Sequence, residues 1–460
     1  MEMWIPSIAE ARGTRAQAIV DALGADIAAG RLRTGDRLPT QRELAEALGL
    51  SPNTVMRAYS EAKRRGYVVG EVGRGTYVRP ADAVPQAGPV ALARPLDGPV
   101  DLSLGLPFVG AAGEALSATL AELAGSNGLT ALLDRGEMRG RHAEAGAVLL
   151  RGLGLEAEAE RIVLVNGAQQ GICAALLALL RPGDTLLTER LTYSPLKALA
   201  AHIGVRIHAL AMDDEGIVPD SLEAACRSTA PKLLYCTPTL QTPTTATMGE
   251  GRREHIARIA AAHDLVIVED DVFGFLPDSR PLPLSVFAPD HTVFVTSVSK
   301  SMAPGLRAGY VHAPDRLLPA ISAAVAVSSW MPPPLIAEIA SRWIKDGTAT
   351  RLSEAQRSHA ARRQAMARRL LSGHVHYAHP QGAHVWLVLP QYWTARAFAA
   401  AAERSGVLLN TAETFATAAE APAAVRLCLS HESTDERVRQ GLATVATLLD
   451  APAESHTLVI

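Results

Sequence analysis

The run Thr296–Tyr310, TSVSKSMAPGLRAGY, decides how the larger part of this chain is read. It follows directly on an apolar segment, TVFVTS (292–297), and sets Lys300 among serines with Arg307 seven residues on. A lysine just past a buried strand can form a Schiff base with an aldehyde cofactor once burial or nearby positive charge lowers its pKa. Arg307 can grip a phosphate through its planar fork, and the hydroxyls of Ser297 and Ser299 can donate to the same phosphate. A lone lysine is ordinarily a solvated surface charge, so Lys300 takes its meaning from what recurs around it.

Working outward, apolar strand-like runs alternate with Ala/Leu-rich helical stretches from about residue 100. They include RIVLV (161–165), DTLLT (184–188), KLLYC (232–236) and LVIVED (265–270). That alternation predicts an α/β fold with a mainly parallel sheet covered on both faces. The stretch from about 351 to 371 is helical and Arg-rich. AHVWLVL (383–389) and AAVRLCL (423–429) read as strands of a smaller C-terminal α+β unit, about 340–455. In LVIVEDDVFGF (265–275), Asp270 ends a strand at the edge where parallel sheets bind ligands. It can pair with a protonated pyridine nitrogen and keep the ring an electron sink. A metal site on Glu269, Asp270 and Asp271 is the alternative. Consecutive strand residues point to opposite faces, so no metal is expected. In VNGAQQGI (165–172), Gly167, Ala168 and Gln169 open a helix and can present backbone N–H groups to an anion, or form a simple tight turn. Tyr193 in ERLTYSP can stack on a flat ring, or be an ordinary half-buried tyrosine.

The first 79 residues have a different pattern. Ile19, Val20, Leu23 and Ile27 fall at helical spacing, with Gly30 as the stop. Thr40 and Glu43 form a capping box for a helix at about 41–48 that ends at Gly49. Ser51 caps the next helix, with Pro52 as its first residue. Two short helices joined by a tight turn make a helix-turn-helix, whose second helix enters the major groove. Tyr67–Val78, split by EVGRG, suits a two-stranded wing. A helical hairpin used only for protein contacts is the competing reading. The charge favours DNA: the chain carries a net −3, yet residues 51–79 hold 6 Lys/Arg against 2 Asp/Glu. Residues 80–99, PADAVPQAGPVALARPLDGP, have no strand or helix period and read as a semi-rigid linker.

The N-terminal segment resembles the winged helix-turn-helix of the GntR regulator family. The resemblance is carried by Gly35–Asp36, Leu38–Pro39, Arg42–Glu43–Leu44, Ser51, Asn53–Thr54–Val55, Arg57–Ala58–Tyr59 and the Gly73/Gly75 turn. It implies DNA contacts by Arg42, Ser51, Asn53, Thr54 and Arg57, with Arg74 and Gly75 at the wing. Pro52 departs from it, standing where several family members carry Arg. Residues of about 100–450 resemble the fold type I, aspartate-aminotransferase-like enzymes that use pyridoxal 5'-phosphate. That likeness implies Lys300 as the Schiff-base lysine and Asp270 on the ring nitrogen. Gly167, Ala168, Gln169, Ser297, Ser299 and Arg307 would hold the phosphate, Tyr193 would stack on the ring, and Arg426 would grip a substrate carboxylate. CTPTLQTPTTATM (236–248) matches the segment whose Asn bonds the cofactor's phenolic oxygen, but that position is Thr242. The Tyr that usually bonds the same oxygen is replaced by Phe273, and Val272 is no substitute. The usual Tyr-Gly segment that reaches the partner subunit's phosphate is not recognisable near LLDRGEMRGR (132–141).

A winged helix (1–79), a linker (80–99) and an aminotransferase-like part (100–455), in this order, resemble the MocR subfamily of regulators. The resemblance implies a homodimeric, cytoplasmic transcription regulator that binds a double-stranded operator. Its large domain would sense a small amine, an amino acid or pyridoxal phosphate. An active aminotransferase with an accessory DNA-binding module is the alternative, with activity expected to be weak or partial. The bulk numbers agree with either. With 48% hydrophobic and 20% charged residues, the chain should fold into large cores. Cys173, Cys226, Cys236 and Cys428 lack CxxC spacing and read as buried free thiols. No signal peptide is seen at the start, and the most apolar stretch is too short to span a bilayer, so no membrane association is expected.

Overall fold

The computed structural model describes residues 4–6, 14–33, 35–64, 67–71, 75–78, 98–110, 112–125, 132 and 138–451. The expected wing-tip contact Arg74, most of the linker and residues 133–137 lie outside these residues. The chain divides into two units, Met1–Val90 and Ala91–Ile460, and the division falls within the 80–99 stretch.

In the first unit, the helix Arg15–Ala28 is capped by Thr14, whose hydroxyl accepts from Gln17 N. It buries Ile19, Val20 and Leu23 against Leu44, Val55, Ala58, Tyr59 and Ala62. The helix Gln41–Leu48 starts at the expected capping box and ends at Gly49 in the left-handed conformation (φ +63°). Glycine tolerates that turn without a Cβ clash. The helix Pro52–Arg64 begins at Ser51, whose Oγ accepts from Thr54 N at 3.2 Å. The Tyr59 hydroxyl donates to Pro39 O at 2.8 Å, fixing this helix to the segment before the capping box. The strands Val68–Glu71 and Gly75–Val78 pair antiparallel, as a wing should. A short strand that the sequence reading missed, Arg37–Leu38, adds to Gly75–Val78 and makes the sheet three-stranded.

The second unit is built on a seven-stranded sheet. Its order is Ile162–Val165, Gly309–His312, Thr292–Ser297, Val266–Asp270, Leu233–Cys236, Thr185–Glu189 and Arg206–Leu210. All neighbouring pairs are parallel except those of Gly309–His312, which runs antiparallel to both its partners. The expected mainly parallel α/β sheet is therefore present, with two strands (Gly309–His312 and Arg206–Leu210) that periodicity did not pick out. Alternation sorts the side chains between two cores. Leu233, Tyr235, Val266 and Val268 face one, while Leu234, Cys236 and Ile267 face the other. The long helix Thr348–Leu370 leads to an antiparallel sheet ordered His376–Tyr377, His384–Val388, Ala424–Cys428 and Asn410–Thr411. Three of the four cysteines are buried free thiols; Cys173 is only half-buried, a correction to the expectation that all were enclosed. Among the described residues, no helix is long and apolar enough to cross a membrane.

Candidate DNA and cofactor sites

In the first unit most of the candidate DNA contacts are exposed. Arg42, Ser51, Asn53 and Arg57 are exposed, and Thr54 is half-buried. On the helix Pro52–Arg64, Asn53 and Arg57 stand four residues apart and so lie on one face. Val55, Ala58, Tyr59 and Ala62 fill the opposite, buried face. The Ser51 and Thr54 hydroxyls lie 2.9 Å apart and tie the helix start together. Gly75 begins the second wing strand at φ +124°, and a Cβ there would come within 3.0 Å of Arg37 Nε. This places a further cation, Arg37, beside the wing; no sequence signal had selected it.

In the second unit, the C-terminal ends of the parallel strands gather the predicted site. Lys300 follows Thr292–Ser297, and its Nζ donates to the Gly105 carbonyl. The Phe273 ring centroid lies 5.7 Å from the same Nζ. Burial lowers the Lys300 pKa to about 8, with Arg426 and Arg307 adding to the effect. A lysine so lowered has a larger neutral, nucleophilic fraction near neutral pH.

Asp270 ends the strand Val266–Asp270 and is buried. Burial raises its pKa to about 7, and Asp271 and Glu189 act in the same direction. Its Oδ1 is enclosed and meets no hydrogen-bond partner among the described residues. Glu269, the neighbouring residue, faces the other way. Its carboxylate accepts from Leu284 N and Ser285 N and lies 3.5 Å from Arg253. The adjacent carboxylates therefore serve opposite faces, as the strand period requires.

Gly167 caps the helix Ala168–Leu179 at φ +81° with no side-chain cap. A Cβ on Gly167 would lie 3.0 Å from Arg307 Nη2. The missing side chain thus lets the Arg307 guanidinium close on a helix N-terminus whose first N–H groups are free for an anion. Ser297 and Ser299 are both buried. Ser299 donates to Leu306 O at 3.0 Å and accepts from Arg307 Nη1 at 3.3 Å, so in this geometry it orients Arg307. The Tyr193 hydroxyl donates to Gln169 Oε1 at 2.7 Å, joining the ring-stacking candidate to the phosphate turn. Thr242 is nearly buried and precedes a cis peptide to Pro243.

Arg426 lies on Ala424–Cys428, donates to Ser103 O at 2.8 Å and lies 4.7 Å over the Phe415 ring. Asn410 also donates to Ser103 O, at 2.7 Å. Sequence reasoning placed DLSLGLPF (101–108) near the pocket. It did not foresee that the Ser103 and Gly105 carbonyls would meet Arg426 and Lys300. It also missed Tyr235, whose hydroxyl donates to Asp270 Oδ2 at 2.6 Å. The buried His384, pushed down to about 3 chiefly by burial, was missed as well; its ring lies 6.0 Å from Phe273. A polar-tipped aromatic in the aliphatic strand KLLYC was the one available signal for Tyr235.

Comparison with known proteins matches residues 15–78 to the gntR family of bacterial regulatory proteins and residues 135–445 to aminotransferase class I and II. The HTH-type transcriptional regulator YdeF of Bacillus subtilis is 32% identical over 451 residues, covering 97% of each chain. The vitamin B6 salvage pathway transcriptional repressor PtsJ of Salmonella typhimurium is 28% identical, covering 88% of this chain and 92% of its own. Among solved structures, a multiple substrate aminotransferase from Thermococcus profundus superposes with a TM-score of 0.70 at 21% identity. The match covers 77% of this chain and 92% of that one, a likeness of fold.

Proposed function

Because the chain belongs to the GntR-type transcriptional regulators that carry an aminotransferase class I and II domain, the MocR architecture, we propose that it regulates transcription in response to a ligand that reacts at Lys300. The cofactor in this reading is pyridoxal 5'-phosphate. The observation that carries it is the buried, unpartnered Oδ1 of Asp270 at the same strand edge as a lysine lowered to about 8. A buried carboxylate oxygen without a donor is costly unless a ligand supplies one, and a protonated pyridine nitrogen does. The residues fit the rest of the group. Arg307 and the N-terminus of Ala168–Leu179 form the anion cradle that the absent Cβ of Gly167 keeps open. Gln169 and Tyr193, joined by a hydrogen bond, would close one side and Ser299 orients Arg307, while the buried Ser297 would add a hydroxyl to the phosphate and Thr242 would face the phenolic oxygen.

When bound, pyridoxal phosphate supplies an aldehyde that amines can enter and a ring that withdraws electrons. Lys300 would attach the cofactor, and Asp270 would keep the ring nitrogen charged. Arg426 is placed to hold the carboxylate of an amino-acid effector by a bidentate pair. PtsJ is named for vitamin B6 salvage, which supports a ligand of the pyridoxal class. In the first unit, Arg42, Ser51, Asn53, Thr54 and Arg57 contact a double-stranded operator. Asn and Arg suit adenine and guanine edges, and the hydroxyls suit phosphate. A homodimer suits a two-fold operator.

One observation bears on the second reading, an active aminotransferase. Phe273 puts an apolar ring near Lys300, at the position where the resemblance has a tyrosine that bonds the cofactor oxygen. That change favours holding a cofactor over turning substrate over. The test is a spectral titration of the purified chain with pyridoxal phosphate and then with a panel of amines and amino acids, alongside binding to a selected duplex. The expected result is a borohydride-reducible visible band, an amine-dependent spectral change and an altered DNA affinity. Turnover of an amino-acid/keto-acid pair without any effect on DNA binding would overturn it.

A further inference from the structure

Asp270 is held from behind. The strand Leu233–Cys236 runs parallel to Val266–Asp270, with Tyr235 opposite Val268. Side chains two apart on a strand share a face, so Tyr235 and Asp270 are diagonal neighbours on one face of the sheet. Tyr235 is fully buried, and its hydroxyl donates to Asp270 Oδ2 at 2.6 Å. The other oxygen, Oδ1, is enclosed and without a donor among the described residues. A carboxylate free to rotate about its last bond could offer either oxygen. This one cannot exchange them without breaking a short bond in a site that excludes water.

We propose that Tyr235 is a positioning residue for the cofactor's ring nitrogen: it fixes Asp270 through Oδ2 so that Oδ1 is the acceptor left for the pyridine N–H. The inference rests on the reading that pyridoxal phosphate binds this site. The bond also acts on charge. Burial, Asp271 on the same chain turn and Glu189 from Thr185–Glu189 all raise Asp270, while the Tyr235 bond and Lys300 lower it. Tyr193, Arg307, Arg426 and Cys236 are further charged or titratable groups around it. Tyr235 itself is raised well above its ordinary value by burial and by Asp270, so it remains a protonated donor throughout the physiological range. Without its hydroxyl, Asp270 takes up a proton at higher pH. A neutral acid no longer balances a charged ring nitrogen, and the cofactor is held more weakly near neutrality.

The experiment is a double-mutant cycle on the full chain stripped of cofactor, comparing wild type, Tyr235→Phe, Asp270→Asn and the double variant. Each is titrated with pyridoxal phosphate from pH 6 to 9, read by visible absorbance and by borohydride fixation. Tyr235→Phe removes one oxygen and leaves the ring to fill its place. The expected result is about a tenfold loss of affinity at pH 7, the size of a lost hydrogen bond to a charged group. The pH at which affinity recovers should also move upward. In the Asp270→Asn background the same substitution should change affinity by less than about twofold. Equal losses in both backgrounds, or no loss in either, would overturn the inference while leaving the cofactor reading standing. A wild type that shows no reducible band overturns the cofactor reading, and this inference with it.

Discussion

The helix Pro52–Arg64 and the strand edge around Lys300 place their polar side chains in opposite ways. On the helix, Asn53 and Arg57 stand exposed, and the apolar residues of the same helix are spent on the core behind them. At the strand edge, Asp270, Ser297 and Ser299 are buried, and Lys300 and Arg426 are tied to backbone carbonyls. The first arrangement suits a large, hydrated polyanion, whose binding falls as salt rises. The second suits a small ligand whose few contacts act in a low dielectric. One chain thus carries an exposed polar face suited to a polyanion and an enclosed site suited to a small ligand.

This contrast can be broken most decisively at Lys300. Lys300→Ala should abolish the borohydride-reducible cofactor band entirely while the chain still binds duplex DNA. Loss of DNA binding in a folded variant would show that the two regions are not separable.

The next largest effect concerns the cost of burying Asp270. Its folded pKa of about 7 lies above its ordinary value of 3.8. The stability linked to this group is therefore full below about pH 4 and is lost as pH rises through 7. Asp270→Asn should accordingly stabilise the cofactor-free protein at pH 8, on the order of 2–4 kcal/mol, with the gap narrowing towards pH 4.5. Calorimetry at the two pH values checks this, and an equal gap at both would refute it.

On the exposed side, Arg57→Ala should weaken binding to a duplex selected from a random library by about 1–3 kcal/mol. The cofactor spectrum should stay unchanged, and a spectral shift would contradict the separation. The smallest effect is expected from Phe273→Tyr, which restores a possible donor near Lys300. It should change cofactor affinity by about 0.5–1.5 kcal/mol and raise any transamination rate. Stopped-flow absorbance with an amino acid measures both, and an unchanged spectrum and rate would remove Phe273 from the argument.

Much of this was legible in residue order. The capping box at Thr40 and Glu43 and the stop at Gly49 involve partners within one or two turns, so local sequence specifies them. The apolar runs ending at Asp270 and Ser297 showed their strands because a strand buried on both faces needs apolar side chains on both. Arg206–Leu210 was missed because it holds an outer position in the sheet and carries exposed and half-buried residues, which blur that signal. Gly309–His312 is short, and its antiparallel direction depends on the two strands it enters between.

For Lys300 and Asp270, the sequence by itself determined the residue types and their positions at the ends of buried strands. Only the tertiary structure decided which groups meet them. Tyr235 and Asp270 are 35 residues apart and Gly105 and Lys300 are 195 apart, yet each pair is in hydrogen-bond contact. The first contact follows from strand order, because sheet pairing joins segments by register and not by their separation along the chain, and the second brings a loop carbonyl to the residue beyond a strand. That pairing turns Oδ1 of Asp270 into the acceptor left open beside Lys300.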